Sequence, residues 1–479
     1  MPDSSTNYQA IILATGLGNR LYPLINNQYN NLKSLIPVCN LPVIKYTIDL
    51  LQYHSFSSCI IVCRQLQLIQ LQSYIHTMQH HPIHDTEHNT DRLTGMDIQL
   101  IGVDNNIQGT CDALRDIASH IYTNYILLPC DLITTVSLHS LIDVHRLYNT
   151  AVACMITNNS AATNTKTKPC RSDSDSADNI YVGLDHNTVS TQPSDNTYKQ
   201  ILLYSSVADI DETYTINKQL LRQHPSIRLY KQYVDSHIYV FSYWTIQLLC
   251  DKPNILTVQN DFVPYLIRNQ YKASMKVWLD EHSISITHSI TDTNNINSMQ
   301  STYNPINNTT LNNQCNYKCY VCITPSTSLC IRACTSIKSY IHANYELCND
   351  TQYTHQPYGS SSQYNYIDQC KSMNTSAKIQ PQCYIDKNVM IGTDSIIKRC
   401  IIGNNVQIGT NCKLSNCIVL SDCVINDNCK LDDCILSRHT VIHDNTKLNN
   451  VKIGGGYVVP ANTELKNDSL STDTSTAHF

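Results

Sequence analysis

The chain has 479 residues, more than the roughly 250–300 at which a single hydrophobic core stops growing, so more than one domain is expected. Charged residues are only 15% of the chain, against about 25% in an average globular protein, and Asn, Thr, Ser, Gln and Tyr fill the difference. The net charge is −5 and no long Lys/Arg block occurs, which excludes a surface that tracks a phosphate backbone, so no direct nucleic-acid partner is expected.

Met1 to Gln9 is polar, with no basic region leading into an apolar stretch, so no secretory leader is expected there. No apolar run approaches the roughly 18 residues of a membrane span, and no membrane partner is expected. The 22 cysteines are therefore expected as reduced thiols in the cytosol.

Gln9 to Leu13 reads as a buried strand running into a glycine-bearing turn. A helix is expected over Leu41 to Gln52, and strands over Ser58 to Cys63, Asp97 to Val103 and Tyr125 to Leu128. The last of these ends at Pro129-Cys130-Asp131. With a helix over Leu138 to Tyr148, the alternation indicates parallel βαβ units. A ligand site in such a sheet lies off the carboxyl ends of the strands.

Polar segments interrupt this pattern at His76 to Asp91, Thr157 to Ala177, Ser283 to Asn316, Asp350 to Pro381 and Ala461 to Phe479. They read as surface insertions, linkers or a loose tail. His76, His80, His84 and His88 would align on a helix, but Pro82 interrupts it and a solvated loop is expected. Cys315, Cys319 and Cys322 have spacing that invites a zinc reading. Tyr317 to Ile323 alternates like a strand and lacks the glycine turns of a zinc knuckle, so no zinc site is expected.

From Cys383 onward the chain is periodic. Ile385, Ile391, Ile397, Ile402, Ile408, Leu414, Val419, Ile425, Leu431, Leu436, Ile442, Leu448, Ile453 and Val459 follow steps of 6, 6 and 5, so one coil takes 17 residues. A second series of small residues lies two positions earlier, among them Cys383, Cys400, Cys412, Cys417, Cys423, Cys429 and Cys434. Residues two apart on a strand share a face, so both series point into a three-sided coil with the thiols as apolar filling. Asn, Asp, Lys and Gly take the corners. The pattern is a solenoid stabilised by neighbouring coils. It resembles the hexapeptide-repeat family, and the left hand of the parallel β-helix comes from that resemblance.

The turn Leu13-Ala14-Thr15-Gly16-Leu17-Gly18-Asn19-Arg20 follows a strand. Gly16 and Gly18 would let the backbone approach a phosphate, and Arg20 would pair with it. With Lys33-Ser34-Leu35-Ile36-Pro37-Val38-Cys39-Asn40-Leu41-Pro42, it resembles the signature of sugar-1-phosphate nucleotidyltransferases. Gln108-Gly109-Thr110 resembles the loop that holds the nucleobase in that family, and Asp131 matches its magnesium-binding Asp.

Several positions depart from the family. Thr15, Asn19, Ser34, Cys39 and Cys130 replace characteristic residues, and neither the later Glu-Lys-Pro nor a second metal-binding Asp is identifiable. Phosphoryl chemistry needs preorganised positive charge. No catalytic residue is therefore assigned. Gly16, Gly18, Arg20, Lys33, Gln108, Gly109 and Thr110 are read as a remnant nucleotide site and Asp131 as a candidate metal ligand. No cofactor is required, with a magnesium-bound nucleotide as the one candidate.

Leu128-Pro129-Cys130-Asp131-Leu132-Ile133-Thr134, His224 to Arg228, Val234 to Tyr239, Asp261 to Ile267 and the helical-looking segment Cys319 to Asn344 resemble the gamma-subunit family of eukaryotic translation initiation factor 2B. That resemblance implies an α/β fold: a Rossmann-like nucleotidyltransferase domain with a mixed, mostly parallel sheet over 8–282, then a left-handed parallel β-helix over 383–459. A polar linker over 283–382, partly structured near 317–346, would join them, and 460–479 would form a loose tail.

The same resemblance implies partnership with the epsilon and other subunits of that factor, with initiation factor 2 as substrate for guanine-nucleotide exchange. In that family the exchange activity sits in a helical domain at the end of the epsilon subunit, and residues 460–479 are too few to form one. The alternative is an active sugar-1-phosphate nucleotidyltransferase resembling mannose-1-phosphate guanylyltransferase.

Overall fold

The computed structural model describes residues 8–25, 32–80, 96–158, 179–185, 197–206, 226–284, 317–325, 328–349 and 382–471, with shorter pieces at 216, 218–224, 366–367, 372–373 and 376–380. Much of each polar insertion lies outside these residues, including His84 and His88.

The N-terminal strands and helices form where the apolar runs are. They are β1 (Tyr8–Leu13), α1 (Val43–Tyr53), β2 (Ser58–Arg64), α2 (Gln65–His80), β3 (Asp97–Val103), α3 (Thr110–Asp116), β4 (Asn124–Pro129), β5 (Leu132–Thr134) and α4 (Leu138–Tyr148). After them come β6 (Val152–Asn158), β7 (Asn179–Asp185), β8 (Thr197–Ser206), β9 (Ile227–Phe241), β10 (Cys319–Ile323), β11 (Cys330–Arg332) and α5 (Ile337–Asn349). The main sheet runs β3-β2-β1-β4-β9-β6-β10-β8-β7. β1, β2, β3 and β4 are mutually parallel, β10 is parallel to β6, and β9 runs antiparallel to β4 and β6.

Alternation along β1 explains why the sheet is covered on both faces. Ile11 joins one core with Val62, Leu127, Phe241 and Leu266, while Ile12 joins a second with Ile48, Leu71 and Leu141. Central strands of such a sheet read as continuous apolar runs because neither face is solvated.

The segment near 317–346 is more deeply built in than its polar flanks suggest. It begins as the strand that the alternation over Tyr317 to Ile323 indicates, and the helical look of Cys319 to Asn344 holds only from Ile337 onward. β10 inserts between β6 and β8 in the middle of the sheet, β11 pairs with β5, and only then does α5 begin. β10 sends Cys319 into one core and Cys322 into the other. Three residues apart on a strand face opposite ways, so these two thiols do not converge on one metal.

The C-terminal part is a parallel β-helix of three sheets. Successive coils pair in register 17 residues apart, as Ile401↔Ile418↔Ile435. The coil reaches beyond the 383–459 repeat on both sides, from Tyr366–Ile367 to Ser469–Leu470. Ile385, Ile402, Val419, Leu436, Cys400, Cys417 and Cys434 lie in its interior. The corners are held by left-handed backbone at Asn388, Asp394, Asn405, Asn411, Asn416, Asp422, Asn428, Asp433, Asn445 and Asn450. Asn and Asp tolerate that conformation best among residues with a Cβ, which is why they recur there.

One outer face of the coil is covered by the rest of the chain. Ile401, Ile418, Leu420 and Ile435 pack against Leu21, Leu24, Val38, Val43 and the α5 residues Tyr340 and Ala343. Asn40 Nδ2 donates to the Ile402 carbonyl at 2.9 Å across the same junction. The hairpin Pro37–Pro42 thus touches the coil directly.

Candidate nucleotide site

The turn after β1 sits at the carboxyl end of the sheet, where Ala14 N donates to Val62 O at 2.8 Å. Gly18 has φ +79, and a Cβ there would lie 2.6 Å from Ile25 Cδ1, so only glycine fits without displacement. A Cβ on Gly16 would press on Lys33 Cδ at 3.3 Å. The two glycines let the Lys33 stem lie along the turn.

Lys33 Nζ reaches Asp131 Oδ2 at 2.8 Å. The other oxygen, Oδ1, lies 3.3 Å from Arg332 Nη2 and 3.4 Å from Nε. Asp131 is fully buried. Burial alone would raise its pKa, but Arg332 and Lys33 outweigh it and hold the carboxyl well below the usual carboxylate range. Burial would likewise depress Lys33, yet Asp131 overrides it and the ammonium titrates above its ordinary value. The three groups form a closed ionic cluster, charged across the physiological range.

His237 borders this cluster. It sits at φ +58 where the pairing of β9 with β6 shifts register between Asp235 and Ile238. Its Nε2 is buried without a hydrogen-bond partner among the described residues. Burial and then the Arg332 guanidinium push its pKa far below the ordinary histidine value, so it is neutral.

Gln108, Gly109 and Thr110 lie across the mouth of the sheet, but their polar backbone is already engaged. The Gln108 and Gly109 amides donate to Asp112 Oδ2 at 3.2 and 3.1 Å. Thr110 Oγ1 accepts from Val258 N at 2.9 Å, and Cys111 N donates to Leu256 O at 2.9 Å. A Cβ on Gly109 would fall 2.0 Å from that Leu256 oxygen. Arg115 holds the facing segment through Leu249 O and Lys252 O at 3.0 and 2.7 Å. Arg64 ties the loop to the glycine turn. Its Nε donates to Thr15 O at 2.9 Å, its Nη2 to Ile107 O at 3.3 Å and its Nη1 to Asn105 O. Arg20 is exposed and makes no ion pair among the described residues.

The structure therefore brings Gly16, Gly18, Lys33 and Asp131 together and keeps Arg20 outside that cluster. Three residues were missed by the sequence reading. Arg332 is 201 positions from Asp131 and lies in the partly structured stretch of the expected linker, where no motif marks it. Arg64 closes a strand with no motif around it. His237 falls inside the Val234 to Tyr239 stretch, but nothing local marks its bulge.

These residues do not fit a magnesium ion. A hard divalent cation needs oxygen ligands free of competing cations, and both Asp131 oxygens face cations. Among the described residues no group of three His, Cys, Asp or Glu side chains converges on a metal position.

Residues 9–164 match the nucleotidyl transferase family, and residues 362–466 match the family described as the EIF2B subunit epsilon LbH domain, which makes the coil a left-handed β-helix. The chain is 26% identical over 273 residues to "Translation initiation factor eIF2B subunit gamma" of Schizosaccharomyces pombe, covering 56% of this chain and 53% of that protein. It is 22% identical over 416 residues to the protein of the same name in Dictyostelium discoideum, covering 82% and 87%. A Dictyostelium discoideum protein named as the epsilon subunit is 20% identical over 298 residues, covering 58% and 37%. The match thus spans about half the length of the fission-yeast relative.

Proposed function

We propose that this relative of the eIF2B gamma subunits is itself a subunit of translation initiation factor 2B. In this reading it pairs with the epsilon subunit in the cytosol and supports exchange of GDP for GTP on initiation factor 2. It carries neither the exchange chemistry nor nucleotidyl transfer.

The observation that carries the reading is the neutralised Asp131. A nucleotidyltransferase needs that carboxylate for a metal and free cations for the phosphates. Here Lys33 and Arg332 are spent on Asp131 at 2.8 and 3.3 Å. The ion cluster holds the end of the sheet together instead of receiving a substrate. The gamma names among the relatives, and a C-terminal coil that matches the epsilon family, point to the same assembly.

The test uses the full-length chain, tagged and recovered from extract of its own cells. Mass spectrometry should find the epsilon subunit and initiation factor 2, and the recovered complex should accelerate GDP release from that factor. The purified chain given mannose 1-phosphate and GTP should form no GDP-mannose. Turnover of that pair at an enzymatic rate, with no factor subunits recovered, would overturn the proposal in favour of an active nucleotidyltransferase.

No helix among the described residues is long and apolar enough to cross a membrane.

A further inference from the structure

The hairpin Pro37–Pro42 pairs Val38 with Leu41, which leaves Cys39 and Asn40 as a two-residue loop. Both have positive φ, 44° and 63°. Such loops favour Asn followed by Gly, because a Cβ in the left-handed region costs roughly 1–2 kcal/mol. The nucleotidyltransferase pattern has Gly where this chain has Cys39, so the cysteine brings backbone strain that glycine would avoid. Its side chain does not face solvent: Cys39 is only 2% exposed.

That thiol points at α5. The Cys39 amide donates to Asn344 Oδ1 at 2.9 Å, and its Sγ donates to the Asn344 carbonyl at 3.3 Å. Its Sγ also lies 3.7 Å from Cys348 Sγ, 309 residues away in sequence. Cys348 is next to last in α5 and partly exposed. The coil thiols differ: Cys400, Cys412, Cys417, Cys423, Cys429 and Cys434 are fully buried, and nothing in solution reaches them.

We propose that Cys39 and Cys348 form a redox-modification site, which a low-molecular-weight disulfide of the glutathione class converts to an intramolecular disulfide. The Cys348 thiolate attacks one sulfur of that disulfide, whose S–S bond breaks and releases one thiolate. Cys39 then gives its proton to the departing half and attacks Cys348 Sγ, releasing the second thiol. One small disulfide and two protein thiols become one protein disulfide and two small thiols. The sulfurs must close from 3.7 Å to about 2.05 Å.

The consequence is mechanical. Tyr340 on α5 donates to Pro37 O at 2.6 Å, and α5 packs together with the hairpin against the coil face carrying Ile401, Ile418 and Ile435. The disulfide ties the hairpin to α5 at the joint between the two domains. In a reducing compartment the pair rests as thiols, and it closes under oxidative load. This inference does not depend on the proposed function.

The experiment treats the full chain with glutathione disulfide, blocks remaining thiols with iodoacetamide and maps peptides without reduction. A Cys39–Cys348 linked peptide should appear, vanish on dithiothreitol treatment and be absent from Cys348→Ser. The oxidised wild type should unfold a few degrees higher than the reduced form, with no such shift in Cys348→Ser. The Cys348→Ser chain keeps the Cys39 bonds to Asn344, so its folding does not depend on the pair. A glutathione adduct on Cys348 with no link to Cys39, or a link to another cysteine, would overturn the proposal.

Discussion

Asn40 Nδ2 donates to the Ile402 carbonyl at 2.9 Å, joining the tip of an N-terminal hairpin to the wall strand Ile401–Ile402 of the coil 362 residues later. Asn40 also holds φ 63°, which asparagine tolerates better than most residues. Asn40→Ala loses both the bond and the tolerance. The expected cost is about 1–3 kcal/mol, read as a lower urea midpoint and faster proteolysis between the domains. An unchanged midpoint would show that the bond does not hold the junction.

Ile418 tests the same junction from the coil side. It is 1% exposed but points outward from the coil, into the cluster with Leu21, Val38 and Tyr340. Ile418→Asp buries a charge there and should separate the domains while the interior Val419 and Cys417 keep the coil intact. Small-angle scattering should report a larger radius of gyration, with β-sheet circular dichroism preserved. Val441→Asp, on a partly exposed outward position of another coil face, should leave the radius unchanged. Equal behaviour of the two variants would argue against a specific docking face.

Asp131→Asn leaves Lys33 and Arg332 facing each other in a buried site with no anion. Removing one partner of a buried ion cluster costs about 3–5 kcal/mol. Denaturant unfolding should show that loss, and Asp131→Asn combined with Lys33→Met should recover part of it. No recovery in the double variant would mean that the loss comes from packing around Asp131.

His145 sets an acid limit on stability. Ser242 Oγ donates to Thr150 O at 2.7 Å, so it accepts from His145 Nε2 at 3.2 Å, and His145 Nδ1 accepts from Tyr8 OH at 3.0 Å. The ring is satisfied when neutral. Burial, followed by the Arg146 charge, lowers its pKa to about 4, whereas an unfolded histidine titrates near 6.5. Between those values the unfolded chain binds the extra proton. Stability is therefore complete above about pH 6.5 and falls as pH drops towards about 4, by roughly 3 kcal/mol. His237, also depressed, acts in the same direction. Urea midpoints should fall steadily from pH 7 to pH 5, and a flat profile would contradict the buried neutral imidazole.

The coil and the first βαβ units were legible because their signals are local. The 6, 6, 5 spacing repeats regardless of what lies elsewhere in the chain, and the register 17 residues apart follows from it. Gly16, Gly18 and Asp131 each follow a strand, and Lys33 joined them through the resemblance to the nucleotidyltransferase signature. Tyr317 to Ile323 alternates like a strand, but its insertion as β10 into the middle of the main sheet is not legible locally. Its partners Val152–Ile156 and Thr197–Gln200 stand far away in the chain.

By itself, then, the sequence determined the repeat, the succession of parallel strands and helices near the N-terminus, and the departures from the transferase signature. Tertiary structure decided how the survivors are used. Arg332 arrives beside Asp131 only because β11 pairs with β5, and Cys39 meets Cys348 only because α5 packs on the hairpin. Periodicity is a nearest-neighbour property and can be read along the chain. An ion pair or a thiol pair between distant residues depends on closing long loops, and no local pattern encodes which distant partner will be there.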